Sequence, residues 1–300
     1  RSRANSDRPH FNCRLGDPVM STIVIGLSMG MLLFLLAAGL TLIFGMLRVI
    51  NFAHGSLYML GAYLSFQMVN LTGNFWVGLA VAPIIAAIVG GLMERIALRP
   101  VYDRDHVYQL LLTFGFILVL DEAVKIIWGL EYKQMYPPEL FSGAIEMFGS
   151  SVPSYRLFII GFGAAVSAAL FFMLDRSRYG MIIRAASGDP EMVRTLGINV
   201  SLVRTGVFSF GAGLAALGGA AAGPLFPIEL GMGFNIIIDS FIVVIIGGLG
   251  NIRGAVMAAL LIGMTRALGY SYAPSWVDFL TFILLIGTLI LRPEGLFSRK

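Results

Sequence analysis

The groups in this chain with the means to do chemistry are few, and they stand in long apolar surroundings. Asn51 and His54 lie in INFAHGSLYMLGAY, with Gly55 and Gly61 loosening the helix. A break at membrane depth frees backbone N–H and C=O groups, and transporters line solute paths with such breaks. Two readings stand: the pair lines a path, or Asn51 caps a helix while His54 satisfies a neighbouring carbonyl. Asp239, beside Ser240, is a carboxylate within another apolar stretch, near its outer side, where an unpaired charge is costly. It is a third path candidate, and its partner is not readable from sequence. Asp121 and Lys125, four apart, are expected to pair on one helix face.

Nothing converges as a catalytic or metal constellation. His10, His54 and His106 are not spaced as a metal pair, and no HExxH, GxSxG or Cys/His cluster occurs. Cys13 stands alone, so no internal disulfide forms. No catalytic residue, metal ligand or cofactor is assigned, and a membrane enzyme is the third choice of function. Lys125, Lys133 and Lys300 are the only lysines, and none follows a glycine. A phosphate-cradling loop needs Gly-Lys-Ser/Thr, so any ATPase driving transport must be a separate polypeptide.

The elements that hold these groups are written in the composition. The chain is 57% hydrophobic and 13% charged, with a mean hydropathy of +0.84, outside the soluble range. Apolar runs approach the roughly 20 residues that a spanning helix needs, and the alternation expected of a β-barrel is missing. The fold class is therefore all-α, a polytopic helical membrane protein with eight or nine transmembrane segments. Expected spans are 20–47, 50–69, 75–93, 107–130, 155–174, 205–223, 234–249, 254–270 and 276–291. The first two join so tightly around Arg48-Val49 that one is a candidate broken or re-entrant helix.

With nine spans and the N-terminus outside, thirteen Lys and Arg fall in inner segments and four on the outer side, counted from Met20. That asymmetry puts 175–204 and the C-terminus in the cytoplasm and the loop Glu131–Tyr155 outside. The net charge of +4 reflects this flanking arginine and implies no nucleic-acid partner. Residues 1–19 are polar and arginine-rich and do not read as a cleavable leader; they are expected to be an extension outside the fold, non-native or disordered, with Met20 as the natural start. Residues 20–300 are expected to form a single transmembrane domain. Gly211, Ala215, Gly219 and Gly223 make a stripe of small residues, with Gly26 and Gly30 a shorter one; such stripes allow close helix packing, within the chain or across a dimer seam.

One inner segment differs from the rest: DRSRYGMIIRAASGDPEMVRTLGINV, Asp175 to Val200. Asp189 can accept from the first free N–H groups of a helix, Pro190 suits its first position, and Glu191 favours the positive end of its dipole. Gly197 supplies the stop. A helix of about two turns is too short to stand alone, so the segment is either an ordinary solvated loop or a docking element for a soluble partner.

GLTLIFGMLRVINFAHGSLYMLGAY (Gly39–Tyr63), ERIALRP (Glu94–Pro100), RAASGDPEMVRTLGINV (Arg184–Val200), IIGGLGNIRGAV (Ile245–Val256) and LRPEGLF (Leu291–Phe297) occur in this order. Together they resemble the permeases of branched-chain amino acid ABC importers, the LivH type, from about Met20 to the C-terminus. The resemblance implies a bacterial inner-membrane subunit moving branched-chain or related hydrophobic amino acids inward. It also implies a second related permease, two cytoplasmic ATPases and a periplasmic binding protein. It makes Arg184–Val200 the loop that couples permease to ATPase, with Arg184, Asp189, Pro190, Glu191 and Gly197 as its marked positions. Asp239-Ser240 departs from the less acidic stretch usual before the glycine turn, which leaves other amino acids, urea and amides open. The alternative from another class is a self-sufficient secondary transporter or channel, for which embedded ionisable relays are sparse here.

Overall fold

The computed structural model describes residues 18–147 and 150–297. The reading of 1–19 as an extension therefore lies outside the described residues, except at Pro18 and Val19, which already belong to the first helix. In chain order the helices are α1 (Pro18–Leu47), α2 (His54–Thr72), α3 (Phe75–Met93), α4 (His106–Trp128), α5 (Ser154–Arg176), α6 (Arg178–Gly188), α7 (Pro190–Thr195), α8 (Val200–Ala222), α9 (Met232–Gly247), α10 (Ile252–Tyr272) and α11 (Val277–Leu291). Each expected apolar stretch is helical. A two-stranded hairpin, β1 (Ala144–Met147) with β2 (Ser150–Pro153), lies in the polar loop before α5. Six helical segments are long and apolar enough to cross a membrane, those of α1, α3, α5, α8, α10 and α11. The other three differ for visible reasons. The α9 helix has 16 residues, about 24 Å at 1.5 Å per residue, short of the roughly 30 Å hydrocarbon core. Helix α2 carries Ser56, Ser65, Gln67 and Asn70, and α4 carries Asp121, Glu122 and Lys125.

Side-chain contacts sort the helix ends into two groups. Gly45 meets Gly250, and Asp175 pairs with Arg253. Arg99 donates to the Ser201 carbonyl at 3.3 Å, and Asn251 to that of Phe297 at 2.7 Å. These contacts gather α6, α7 and the C-terminal segment at one end. The other end holds the hairpin, with Tyr155 donating to the Ala221 carbonyl at 2.8 Å.

The link between α1 and α2 turns back into the bundle. Arg48 leaves α1 with φ +56, a left-handed conformation uncommon outside glycine. Six residues later His54 Nε2 lies 3.1 Å from the carbonyl oxygen of Leu36, eleven residues before the end of α1. The start of α2 therefore sits about 16 Å in from that end. Gly55 in turn abuts the backbone of Gly233, in the first turn of α9, so closely that a Cβ on either would clash. Both helices thus begin at the same depth, one entered from each end of the bundle. The small-residue stripes are seams within the chain: Gly30 and Gly263 join α1 to α10, Gly211 lies against Gly39 of α1, and Gly219 against the Tyr58 carbonyl of α2.

Candidate functional site

Beside the two helix starts lies a cavity of about 310 Å³, within the size range of small-solute sites. One wall is apolar, from Met29, Leu32 and Leu33 of α1. Glu229, Asn235 and Asp239, with Arg266 and Tyr270 of α10, supply the polar part of the lining, interspersed with Met232 and Ile236. Arg266 meets Asp239 through two parallel hydrogen bonds, Nη1 to Oδ2 and Nη2 to Oδ1, each 2.6 Å. This is the planar fork geometry that makes an arginine–carboxylate pair strong. Asp278 is a looser third member, 3.8 Å from Arg266.

Arg266 is thus the partner of Asp239 that sequence reading left unnamed. The signal was present: an arginine within LLIGMTRALGY is costly at membrane depth and calls for a counter-ion. Counting it only as an outer-side charge hid this. Glu229 was also passed over, because it sits in the segment between two apolar stretches.

Asn51 and His54 are fully buried and do not line this cavity; Tyr58, one turn beyond His54, does. Asn51 does not cap α2 in the expected way, since the capping position is Ala53 and no side chain fills it. Instead, Asn51 Oδ1 accepts from Ala53 N at 3.1 Å and closes the turn leading into the helix. Asn51 Nδ2 and His54 Nδ1 have no hydrogen-bond partner among the described residues. The expected Asp121–Lys125 pair is absent. Lys125 bonds Glu122, one turn away on the exposed face, and Asp121 turns inward to accept from Ser56 Oγ at 3.3 Å.

At the opposite end, α7 forms as the sequence specifies. Asp189 accepts from Glu191 N at 3.1 Å and Met192 N at 2.9 Å. Pro190 opens the helix, and Gly197 closes it with φ +82, a conformation glycine adopts without a Cβ penalty. Only Val193 of α7 is buried. The sequence reading missed α6, which Ser177 caps by accepting from Gly180 N at 3.1 Å. Arg184, on α6, donates to the Leu174 carbonyl at the end of α5, so it braces this unit to the bundle. Beneath it, buried Glu94 accepts from Thr205 at 2.6 Å, Tyr102 at 3.0 Å and Arg99 at 3.3 Å. This joins the end of α3 to the start of α8. Burial, then the Glu94 carboxylate, push the Tyr102 phenol well above its ordinary value, so it stays a neutral donor.

A helical bundle with six segments long enough to cross a membrane, a solute-sized cavity of mixed lining and a capped pair of helices at one end fits a membrane transport component. Residues 22–289 match the family described as "Branched-chain amino acid transport system / permease component", and the chain belongs to that family. It is 32% identical to the high-affinity branched-chain amino acid transport system permease protein LivH of Escherichia coli K12, covering 91% of this chain and 94% of the relative. BraD of Pseudomonas aeruginosa, a permease protein of the same kind of system, is 31% identical over 93% and 96%. LivM of Salmonella typhimurium, another permease protein of such a system, is 24% identical over 90% and 68%. No solved structure matches. The chain is accordingly a multi-pass membrane protein and a permease component, not an enzyme.

Proposed function

We propose that this chain is the membrane subunit of an ATP-driven importer that moves branched-chain or related hydrophobic amino acids inward across a bacterial inner membrane. It works with a second, related permease, two cytoplasmic ATPases and a periplasmic binding protein, and nine of its helices cross or enter the bilayer. The observation that carries the reading is the α6–α7 unit: a capped pair of short helices whose apolar side chains Tyr179, Met181, Met192 and Leu196 stay exposed. A helix as short as α7 is unstable unless packed, and a soluble ATPase would cover that face. The relatives' names support the solute class and a second permease, and the arginine asymmetry supports a cytoplasmic α7 end.

In this reading Asp239 and its cavity lie on the solute path, while Asn51 and His54 hold the break that lets α2 begin beside it. The residues 20–300 act as one permease domain, with 175–204 as its coupling loop. The test is reconstitution of the complex in proteoliposomes. Uptake of L-leucine should require ATP, the ATPases and the binding protein together; leucine uptake by this chain without ATP would refute the assignment.

A further inference from the structure

We propose that the cavity reads the two charges of a zwitterionic solute, with the Asp239–Arg266 pair holding each other's place until the solute arrives. Arg266 then takes the solute carboxylate, and Asp239 with Glu229 takes its ammonium. The inference rests on reading the cavity as part of the solute path.

Three observations carry it. The first is charge balance: Asp239 and Arg266 neutralise one another, and Glu229 faces the same cavity with no side-chain hydrogen bond or ion pair among the described residues. With Asp278 counted beside Arg266, the site is left two negative charges in excess, which favours an ammonium. The second is an unspent donor. Asp239 occupies the two terminal nitrogens of Arg266, while Nε is buried with no partner. An unmet buried donor is costly, and a carboxylate bound along the side of the guanidinium would satisfy it. The third is the apolar part of the lining: Met29, Leu32 and Leu33 offer a surface for a hydrocarbon side chain. Bringing one ammonium and one carboxylate exchanges an internal ion pair for two solute ion pairs without burying a net charge. A solute with only one charge cannot make that exchange, and a neutral amide would leave the pair closed.

The test uses a reporter cysteine at the cavity rim, Phe226→Cys in a Cys13→Ser background, with Asn235→Cys as the second reporter should the first fail to assemble. In the reconstituted complex, modification by a small methanethiosulfonate reagent should block uptake. If modification proceeds and uptake is unchanged, the path reading itself fails. Given the block, L-leucine should slow modification on the order of tenfold, whereas isoamylamine, isocaproate and acetamide should not. Adding Glu229→Gln should abolish the protection by L-leucine while the complex stays assembled. Equal protection by L-leucine and either singly charged analogue, protection by acetamide, or no protection by L-leucine would overturn the charge-reading site while leaving the path reading in place.

Discussion

The joint between α2 and α9 and the α6–α7 face are built on opposite rules. At the joint, Gly55 and Gly233 press backbone to backbone, and Asn51 and His54 are buried and bonded within the chain. At the face, the polar ends are capped internally, Ala186 and Val193 are buried, and Tyr179, Met181, Met192 and Leu196 stay exposed. The first region spends its interactions on itself, so its geometry is set before anything binds. The second is capped at its helix ends yet leaves large apolar side chains uncovered. A cluster of Glu94, Arg99, Tyr102 and Thr205 ties the end of α3 to the start of α8, the helix that follows α7.

If the joint is as tight as described, Gly55→Leu should have the largest effect of any change here. The new side chain meets backbone, which cannot rotate aside, so the two helix starts cannot keep their contact and assembled complex should be nearly lost on size-exclusion in detergent. Assembly at wild-type yield would show that the two helix starts do not touch. Next comes Arg266→Gln, which leaves Asp239 buried without its counter-ion; loss of one partner of a buried pair costs about 3–5 kcal/mol. The double variant Asp239→Asn, Arg266→Gln should recover much of that loss in thermal unfolding of the complex. A double variant no more stable than the single would mean the pair is not coupled.

A smaller effect is expected from Asn51→Leu and His54→Leu. Because both side chains are sealed away from the cavity, each should reduce the amount of assembled complex, while uptake per complex stays near normal. Asn51→Asp keeps the acceptor that closes the turn and should spare both. Reduced uptake per complex in either leucine variant, with assembly unchanged, would instead put that residue on the path.

Much of this contrast is legible in sequence, and the remainder is hidden for physical reasons. The start and stop of α7 depend on neighbours only a few residues apart, Asp189 with the next two N–H groups and Gly197 with its own φ. The break after Arg48 also announces itself locally, in an arginine and an asparagine between apolar runs. The pairing of Asp239 with Arg266 depends on how two helices pack, and no local pattern carries it. Asp121 shows the opposite failure. Spacing allowed a bond to Lys125, but tertiary contact with Ser56 on α2 won, and Glu122 took the lysine. Helix α6 was lost because its apolar residues are interrupted by arginines and a serine, which read as loop until Arg184 is seen to bond α5.

The coupling role proposed for the exposed α6–α7 face is tested through its smallest perturbation. Asp189→Ala removes the cap at a cost of about 1 kcal/mol, and Gly197→Val forbids the left-handed stop. Uptake of L-leucine and solute-stimulated ATP hydrolysis should be measured together in proteoliposomes holding equal amounts of intact complex. Both should fall in the double variant while the membrane subunit stays inserted. Uptake and hydrolysis equal to wild type would contradict that role.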